Sequence, residues 1–242
     1  MTALLTVDGV GKRFRGLLAV DNVSFRVAQG SIFAVIGPNG AGKTTLFNII
    51  AGAFAPDRGS IAFAGERIDG LAPDEVCRRG IGRTFQLVRP FPALSVEDNV
   101  VIGAMLRRHD PAVARRRAHE VLMRLDLFGK RHQSASALTL PDRKRLEVAR
   151  ALATEPKLLL LDEVMAGLRP AETDRMVSVL TELNRESGLT ILLIEHVMRA
   201  VMALAARVLV LHHGAAIAEG APEAVVREPA VVQSYLGAEA VE

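Results

Sequence analysis

Short apolar runs separated by turn residues dominate the first third of the chain, a pattern typical of β-strands. They predict strands over Leu4–Val7, Ala19–Val27, Ser31–Ile36 and Gly59–Phe63, with a further candidate at Gly80–Gln86. A glycine-rich loop follows the third of these runs, and the segment after the loop is predicted to be a helix over Leu46–Ala51.

From about residue 95 the pattern becomes helical and rich in Arg and Ala, which predicts helices over Val96–Arg108, Pro111–Leu127 and Leu140–Thr154. After Pro156 strands and helices alternate. The predicted strands there are Leu158–Asp162, Thr190–Glu195, Val208–His212 and Ala216–Glu219, and the predicted helices are Ala171–Glu186 and Val197–Ala205.

The later strands are almost continuously apolar rather than alternating, which indicates a sheet buried on both faces. We therefore predict the α/β class, with a mostly parallel buried sheet, an N-terminal antiparallel β portion and an inserted α-helical subdomain. The predicted organisation is a single domain over 1–242, in which 1–86 and 151–242 form the core and 87–150 form the helical subdomain.

Composition narrows the class of protein. Half of the 242 residues are apolar and the formal net charge is +3, which excludes an acidic disordered tail but does not by itself indicate nucleic acid. Because Cys77 is the single cysteine and no Cys/His set has zinc-ligand spacing, we expect a reducing, cytosolic environment. The first twelve residues lack a signal-peptide pattern, and every apolar stretch is interrupted well before the ~18 residues that a spanning helix needs.

The loop after the third strand fits the phosphate-loop pattern G-x-x-x-x-G-K-[ST]. Its position between an apolar strand and a helix favours nucleotide binding over an ordinary glycine-rich turn. In such a loop the backbone N–H groups bind phosphate oxygens, Lys43 bridges the β- and γ-phosphates and the Thr44 hydroxyl binds magnesium. The predicted ATP-binding residues are Gly37, Pro38, Asn39, Gly40, Ala41, Gly42, Lys43, Thr44 and Thr45.

Two carboxylates, Asp162 and Glu163, end the apolar strand that begins at Leu158. Ligand sites of α/β proteins lie at this end of the strands. Asp162 is suited to binding Mg²⁺ and Glu163 to polarising an attacking water. The pair is a weak signal alone and a strong one in a chain that also carries a phosphate loop.

The order of motifs resembles that of the ATP-binding subunits of ABC transporters over nearly the whole chain. It consists of the phosphate loop, Gln86, the Leu138–Leu152 segment, the Asp162-Glu163 pair and His196. The resemblance implies that Gln86 links the γ-phosphate and Mg²⁺ to the helical subdomain and that His196 senses the γ-phosphate beside Glu163. It also implies that Phe14 stacks on the adenine, with plain core packing as an equally open alternative.

Within that family the chain is most similar to the ATPases of branched-chain amino acid importers, with urea and short-amide importers close behind. The likeness rests on the stretches 16–25, 83–100 and 227–237. It implies a subunit at the cytoplasmic face of the inner membrane that powers uptake. The implied partners are a second ATP-binding subunit (in a heterodimer, with a homodimer as the alternative), two membrane-spanning permease subunits and, indirectly, an extracytoplasmic substrate-binding protein. Alternatives are a lipid exporter, a soluble ABC ATPase and a regulatory module with little turnover.

The chain departs from the family pattern at the signature, which normally reads Leu-Ser-Gly-Gly-Gln and contacts the nucleotide held by the opposite subunit. Here the segment is Leu138-Thr139-Leu140-Pro141-Asp142. Thr139 keeps a hydroxyl that can donate to that nucleotide's γ-phosphate, whereas Pro141 has no N–H to donate. Asp142 brings a carboxylate that opposes a triphosphate unless it points away. We therefore expect slower hydrolysis at the site facing this segment than at the chain's own phosphate loop.

Two further groups of side chains have open interpretations. The first is a cluster of arginines, which is either a solvated helix face, the favoured interpretation, or a contact for anionic lipid headgroups: Arg107, Arg108, Arg115, Arg116 and Arg117. The second is apolar, and the resemblance places a groove for a helix of the membrane subunit there: Phe85, Leu87, Phe91 and Leu94. Nucleic-acid partners are not expected, because aromatic residues make up only 4% of the chain and no recognition motif is present.

Overall fold

The computed structural model describes residues 2–85 and 90–239. Its strands, numbered along the chain, are β1 (Ala3–Phe14), β2 (Leu17–Ala28), β3 (Ile32–Ile36), β4 (Arg58–Phe63), β5 (Glu66–Arg67), β6 (Ile81–Arg83), β7 (Leu158–Asp162), β8 (Thr190–Ile194), β9 (Arg207–His212) and β10 (Ala215–Gly220). Its helices are α1 (Lys43–Ile50), α2 (Pro73–Arg79), α3 (Val96–Ala104), α4 (Pro111–Arg124), α5 (Leu140–Ala153), α6 (Pro170–Ser187), α7 (Met198–Leu204), α8 (Pro222–Val225) and α9 (Pro229–Glu239).

The strands form two sheets. The antiparallel sheet has the order β2-β1-β4-β5, and the larger sheet has the order β10-β9-β3-β8-β7-β6. All neighbours in the larger sheet run parallel except β9 and β10, which are antiparallel. The predicted α/β class, with an N-terminal antiparallel portion and a mostly parallel sheet, is therefore confirmed.

The larger sheet is buried on both faces. Alternate residues of β3 belong to different apolar clusters: Phe33 and Val35 pack with α1 and the antiparallel sheet, whereas Ala34 and Ile36 pack with the helices α3 to α6. All five residues of β3, β7 and β8 are buried, as their continuous apolar runs predict. The central strands therefore hold the residues at their ends on a rigid base.

Helices α3, α4 and α5 lie between β6 and β7 in the chain, where the helical insertion is predicted. Helix α5 ends at Ala153, three residues beyond the predicted boundary at 150, and the division into core and subdomain stays a prediction. Helices α3 and α5 approach closely at Gly103, where an added Cβ would lie 2.5 Å from the Arg150 carbonyl oxygen. Glycine is thus the residue that lets the two backbones touch.

Several local expectations differ from the structure. The first strand continues to Phe14, helix α3 ends at Ala104 rather than Arg108, and helix α4 ends at Arg124 rather than Leu127. Strand β5 and helices α2, α8 and α9 were not predicted. Within the described part of the chain, no helix has both the length and the apolar character required to cross a membrane.

Candidate functional site

The phosphate loop joins β3 to α1, as predicted. Gly42 caps α1 with a φ of 99°, and a Cβ there would lie 2.3 Å from the Ala19 carbonyl oxygen, so both the conformation and the space require glycine. A Cβ at Gly40 would meet no atom within 4 Å, so the loop opens outward at that point. The loop therefore presents its backbone to a ligand at the N-terminus of α1, a geometry that favours phosphate.

Lys43 is held across the loop that it follows. Its Nζ donates to the Gly37 carbonyl at 2.6 Å and to the Pro38 carbonyl at 2.9 Å. Burial lowers the pKa of Lys43, and the nearby carboxylates of Glu163 and Asp162 oppose that shift. The ammonium is thus already placed at the loop, where phosphate oxygens are stronger acceptors than the two carbonyls.

Asp162 ends β7 in the interior of the sheet, and its side chain is 1% exposed. Its Oδ2 accepts from Arg83 Nη2 at 3.3 Å, and its backbone N–H donates to Thr84 Oγ1 at 3.1 Å. Burial raises the pKa of Asp162, and the Arg83 guanidinium opposes the rise.

The second carboxylate oxygen of Asp162, Oδ1, is buried and has no hydrogen-bond partner among the described residues. A buried oxygen of this kind fits a hard cation, which supplies the missing contact. Thr44 is exposed in the first turn of α1 and offers a hydroxyl of the same hard type. These residues therefore suit Mg²⁺, and their role as its ligands stays a prediction.

Glu163 and His196 come together, as the resemblance implies. Glu163 has a φ of +50° and donates its N–H to the Ile194 carbonyl at 3.0 Å, so the turn after β7 is tied to the end of β8. His196 Nδ1 lies 4.0 Å from Glu163 Oε1, and the His196 side chain is 54% exposed. A positive φ outside glycine is rare and concentrates at functional sites.

Two buried residues behind Glu163 were missed by sequence reasoning. Glu195 is 1% exposed, and its Oε1 accepts from the Met165 backbone N–H at 3.0 Å. Its Oε2 is buried without a hydrogen-bond partner in the part of the chain that the structure describes, and burial raises the pKa of Glu195 to about 7. Lys144 donates from Nζ to the Glu163 carbonyl at 2.9 Å, so α5 holds the same turn. The signal available in the sequence was that Glu195, like Asp162, directly follows an apolar strand.

Two predicted contacts of the nucleotide have different outcomes. Phe14 lies at the end of β1 and is 37% exposed, so it is not a core residue; its ring packs edge-on against Phe54 with centroids 5.1 Å apart. Its stacking on adenine stays a prediction. Gln86 and Leu87 lie outside the described residues, so the structure does not place them.

Within the altered signature Asp142 is turned inward, whereas Thr139 and Leu140 are exposed. Thr139 caps α5, and its Oγ1 donates to Asp142 Oδ2 at 2.9 Å. Asp142 is 2% exposed and forms ion pairs with Lys130 and Arg145. Burial alone would raise the pKa of Asp142, but the hydrogen bonds from Lys130 and Thr139 and the charge of Arg145 hold it below its ordinary value. The carboxylate thus points into the protein, and the Thr139 hydroxyl proton is already donated.

The chain was also compared with known proteins. A family model described as ABC transporter matches residues 20–166. The high-affinity branched-chain amino acid transport ATP-binding protein LivG of Salmonella typhimurium is 39% identical, over 97% of this chain and 98% of its own. The lipopolysaccharide export system ATP-binding protein LptB of Acidithiobacillus ferridurans is 34% identical, over 98% of both chains. A crystal structure of the ADP conformation of an ATP-binding cassette of an ABC transporter matches with a TM-score of 0.89 and 31% identity, over 98% of this chain and 100% of that one.

Proposed function

The chain belongs to the ABC transporter family as one of its ATPase subunits, and on this premise we propose that it powers an importer for branched-chain amino acids or related small amides. The observation that carries the proposal is the meeting of Lys43, Asp162 and Glu163 at the carboxyl edge of one buried sheet. The importer assignment rests on the greater identity to LivG than to LptB.

In the proposed reaction the loop N–H groups and Lys43 bind the triphosphate of ATP. Asp162 and Thr44, with Gln86, bind the magnesium ion, which neutralises charge on the phosphates when it is present. Glu163 orients a water and accepts its proton as the water attacks the γ-phosphorus, and ADP leaves. His196 donates a hydrogen bond to the γ-phosphate from the exposed side of Glu163.

We also infer that the chain contributes to two different ATP sites: its phosphate loop and Glu163 belong to one, and its signature belongs to the other. Its Lys43 and Glu163 act on one ATP together with the signature of a second ATP-binding subunit. Its own signature faces the partner's ATP, where Pro141 offers no N–H and the Thr139 hydroxyl donates to Asp142 instead. Loss of one preorganised phosphate donor costs on the order of 10²-fold in rate, so this second site turns over slowly. A heterodimer, in which the partner carries a complete signature, is therefore the proposed pairing.

The remaining components follow from the family. We propose that two permease subunits hold the chain at the cytoplasmic face of the membrane and that an extracytoplasmic binding protein delivers the substrate. The exposed aromatic rings of Phe85 and Phe91, with half-buried Leu94 beside them in the chain, are the proposed contact with a permease helix. No contact with nucleic acid is proposed.

The test is ATP hydrolysis and leucine uptake by the complete transporter in proteoliposomes. Glu163→Gln is expected to lower both rates at least a hundredfold while ATP still binds, and the control Glu182→Gln, on the exposed face of α6, is expected to change neither. Hydrolysis near the wild-type rate in Glu163→Gln would show that Glu163 is not the residue that activates water. If leucine and its binding protein do not change the rate of ATP hydrolysis by the wild-type transporter, the result would argue against the proposed importer function.

A second experiment tests the proposed difference in hydrolysis rate between the two ATP sites. Pro141→Gly restores an N–H at the signature and is expected to raise hydrolysis at the partner's site, measured with the chain's own site silenced by Glu163→Gln. Thr139→Val is expected to leave that hydrolysis almost unchanged, because the hydroxyl already donates to Asp142. A large loss in Thr139→Val would show that the hydroxyl contacts the nucleotide after all.

A further inference from the structure

A cleft of about 550 Å³ lies at the edge of the larger sheet opposite the phosphate loop. Lys157 and Leu189, which line it, immediately precede β7 and β8, whereas Asp162 and Glu195 stand at the other ends of these strands. Helix α4 forms the opposite wall. The cleft is therefore separate from the nucleotide site.

The lining of this cleft is basic. Five cationic side chains, which we call the basic cleft residues, line it together with the two carboxylates of Glu120 and Glu155: Arg108, Arg116, Arg117, Arg124 and Lys157. Both carboxylates are already engaged. Arg108 forms a fork with Glu155 at 3.0 and 3.1 Å, and Arg117 pairs with Glu120 at 2.9 Å.

Three cations of the basic cleft have no such partner. Within residues 2–85 and 90–239 no carboxylate pairs with Arg116, Arg124 or Lys157. Of the arginine cluster named in the sequence analysis, Arg108, Arg116 and Arg117 line the cleft. Arg115 instead pairs with Glu97, with Nη1 3.2 Å from Oε1. An excess of cations inside a concave site concentrates anions there.

Apolar side chains line another part of the cleft. Val113, Leu152 and Leu189 are among them, and they give the cleft a surface for a non-charged moiety of the ligand. Arg117 is held by both carboxylates, with Nη1 2.9 Å from Glu120 Oε2 and Nε 3.6 Å from Glu155 Oε1, so it is not counted among the cations that bind the ligand.

We propose that the basic cleft binds a small molecule that carries a pyrophosphate or triphosphate group. Arg116, Arg124 and Lys157 contact the phosphates, whose three to four negative charges match the three unpaired cations. The recessed shape and the volume suit a small ligand rather than a flat membrane surface.

The experiment titrates sodium tripolyphosphate into the full chain by calorimetry. All proteins carry Lys43→Ala, so that the phosphate loop no longer competes for the probe. The parent is expected to bind one equivalent, and Arg116→Gln with Arg124→Gln is expected to weaken binding at least tenfold. The matched control is Arg26→Gln with Arg227→Gln, which removes the same charge from two exposed arginines outside the cleft and is expected to bind like the parent.

A second measurement guards against misfolding. Without tripolyphosphate, the cleft variant is expected to melt at the same temperature as the parent. Tripolyphosphate is expected to raise the melting temperature of the parent and the control but not that of the cleft variant. Equal binding by cleft variant and control would overturn the proposal. A different result would also overturn it: binding to vesicles of anionic phospholipid that depends on Arg116 and Arg124, with no saturable binding of tripolyphosphate. The ligand would then be a membrane surface.

Discussion

Glu195 is expected to make the free energy of unfolding fall as the pH rises, and Glu195→Gln is expected to remove this pH dependence. The carboxyl is buried against the turn after β7, where it accepts from the Met165 N–H. Burial is the largest effect on the pKa of this carboxyl: it raises the pKa together with the charge of Glu163, against the Met165 and His196 backbone N–H groups and the charge of Lys144. Glu195→Gln keeps an oxygen acceptor for Met165 and removes the titration.

The magnitude follows from the pKa of Glu195, which rises from its ordinary value of 4.5 to about 7 in the folded chain. Since the folded state holds the proton more tightly than the unfolded state, the stabilisation is complete below pH 4.5 and is lost as the pH rises through 7. Each pKa unit corresponds to about 1.4 kcal/mol. Between pH 5 and pH 8 the loss from this group is therefore about 2.5 kcal/mol.

Urea unfolding of the nucleotide-free chain in EDTA, at pH 5, 6, 7 and 8, measures this effect. The free energy of unfolding of the wild type minus that of Glu195→Gln is expected to fall by about 2.5 kcal/mol across the range, most of it between pH 5 and pH 7. Glu182→Gln, an exposed control, should run parallel to the wild type. A difference that stays constant between wild type and Glu195→Gln would refute the reasoning, because Glu195 would then be ionised throughout.

Three further predictions concern other parts of the chain. Gly42→Ala should abolish ATP binding in calorimetry, because its Cβ meets the Ala19 carbonyl, whereas Gly65→Ala, with a similar positive φ and open space, should bind normally. Asp142→Ala should lower the free energy of unfolding in urea by about 1–3 kcal/mol, since it removes the buried partner of Arg145 and Lys130 while Arg145 keeps Asp126, and an unchanged value would contradict the burial of this ion pair. Burial raises the pKa of Cys77, so iodoacetamide at pH 8 should alkylate it at least tenfold more slowly in the folded chain than in urea, as followed by mass spectrometry.

Local signals predicted the phosphate loop and the acidic pair well. The loop pattern fixes Lys43 within a strand, turn and helix that are adjacent in the chain, and Asp162 follows its strand directly. The meeting of His196 with Glu163 was expected from the family resemblance alone. The structure brings the two residues together because both follow buried parallel strands whose carboxyl ends share an edge.

The inward turn of Asp142 was beyond sequence reasoning for a physical reason. A carboxylate in the first turn of a helix is normally exposed, and its burial here depends on Lys130, which approaches from the preceding segment, together with Arg145 in the same helix. Lys144 presents the same difficulty: its bond to the Glu163 carbonyl depends on the angle between α5 and β7, which no periodicity encodes. The high apolar content, half of the 242 residues, is in contrast largely accounted for by a sheet covered on both faces.

The contact at Gly103 has a mechanical consequence. Because the backbone of α3 meets the Arg150 carbonyl with no side chain between them, any side chain at position 103 would force the two helices apart. Helix α3 carries the exposed Ile102, and α5 carries Lys144, whose Nζ donates to the Glu163 carbonyl. The close approach at Gly103 therefore sets where α3 lies relative to the helix that contacts the turn carrying Glu163.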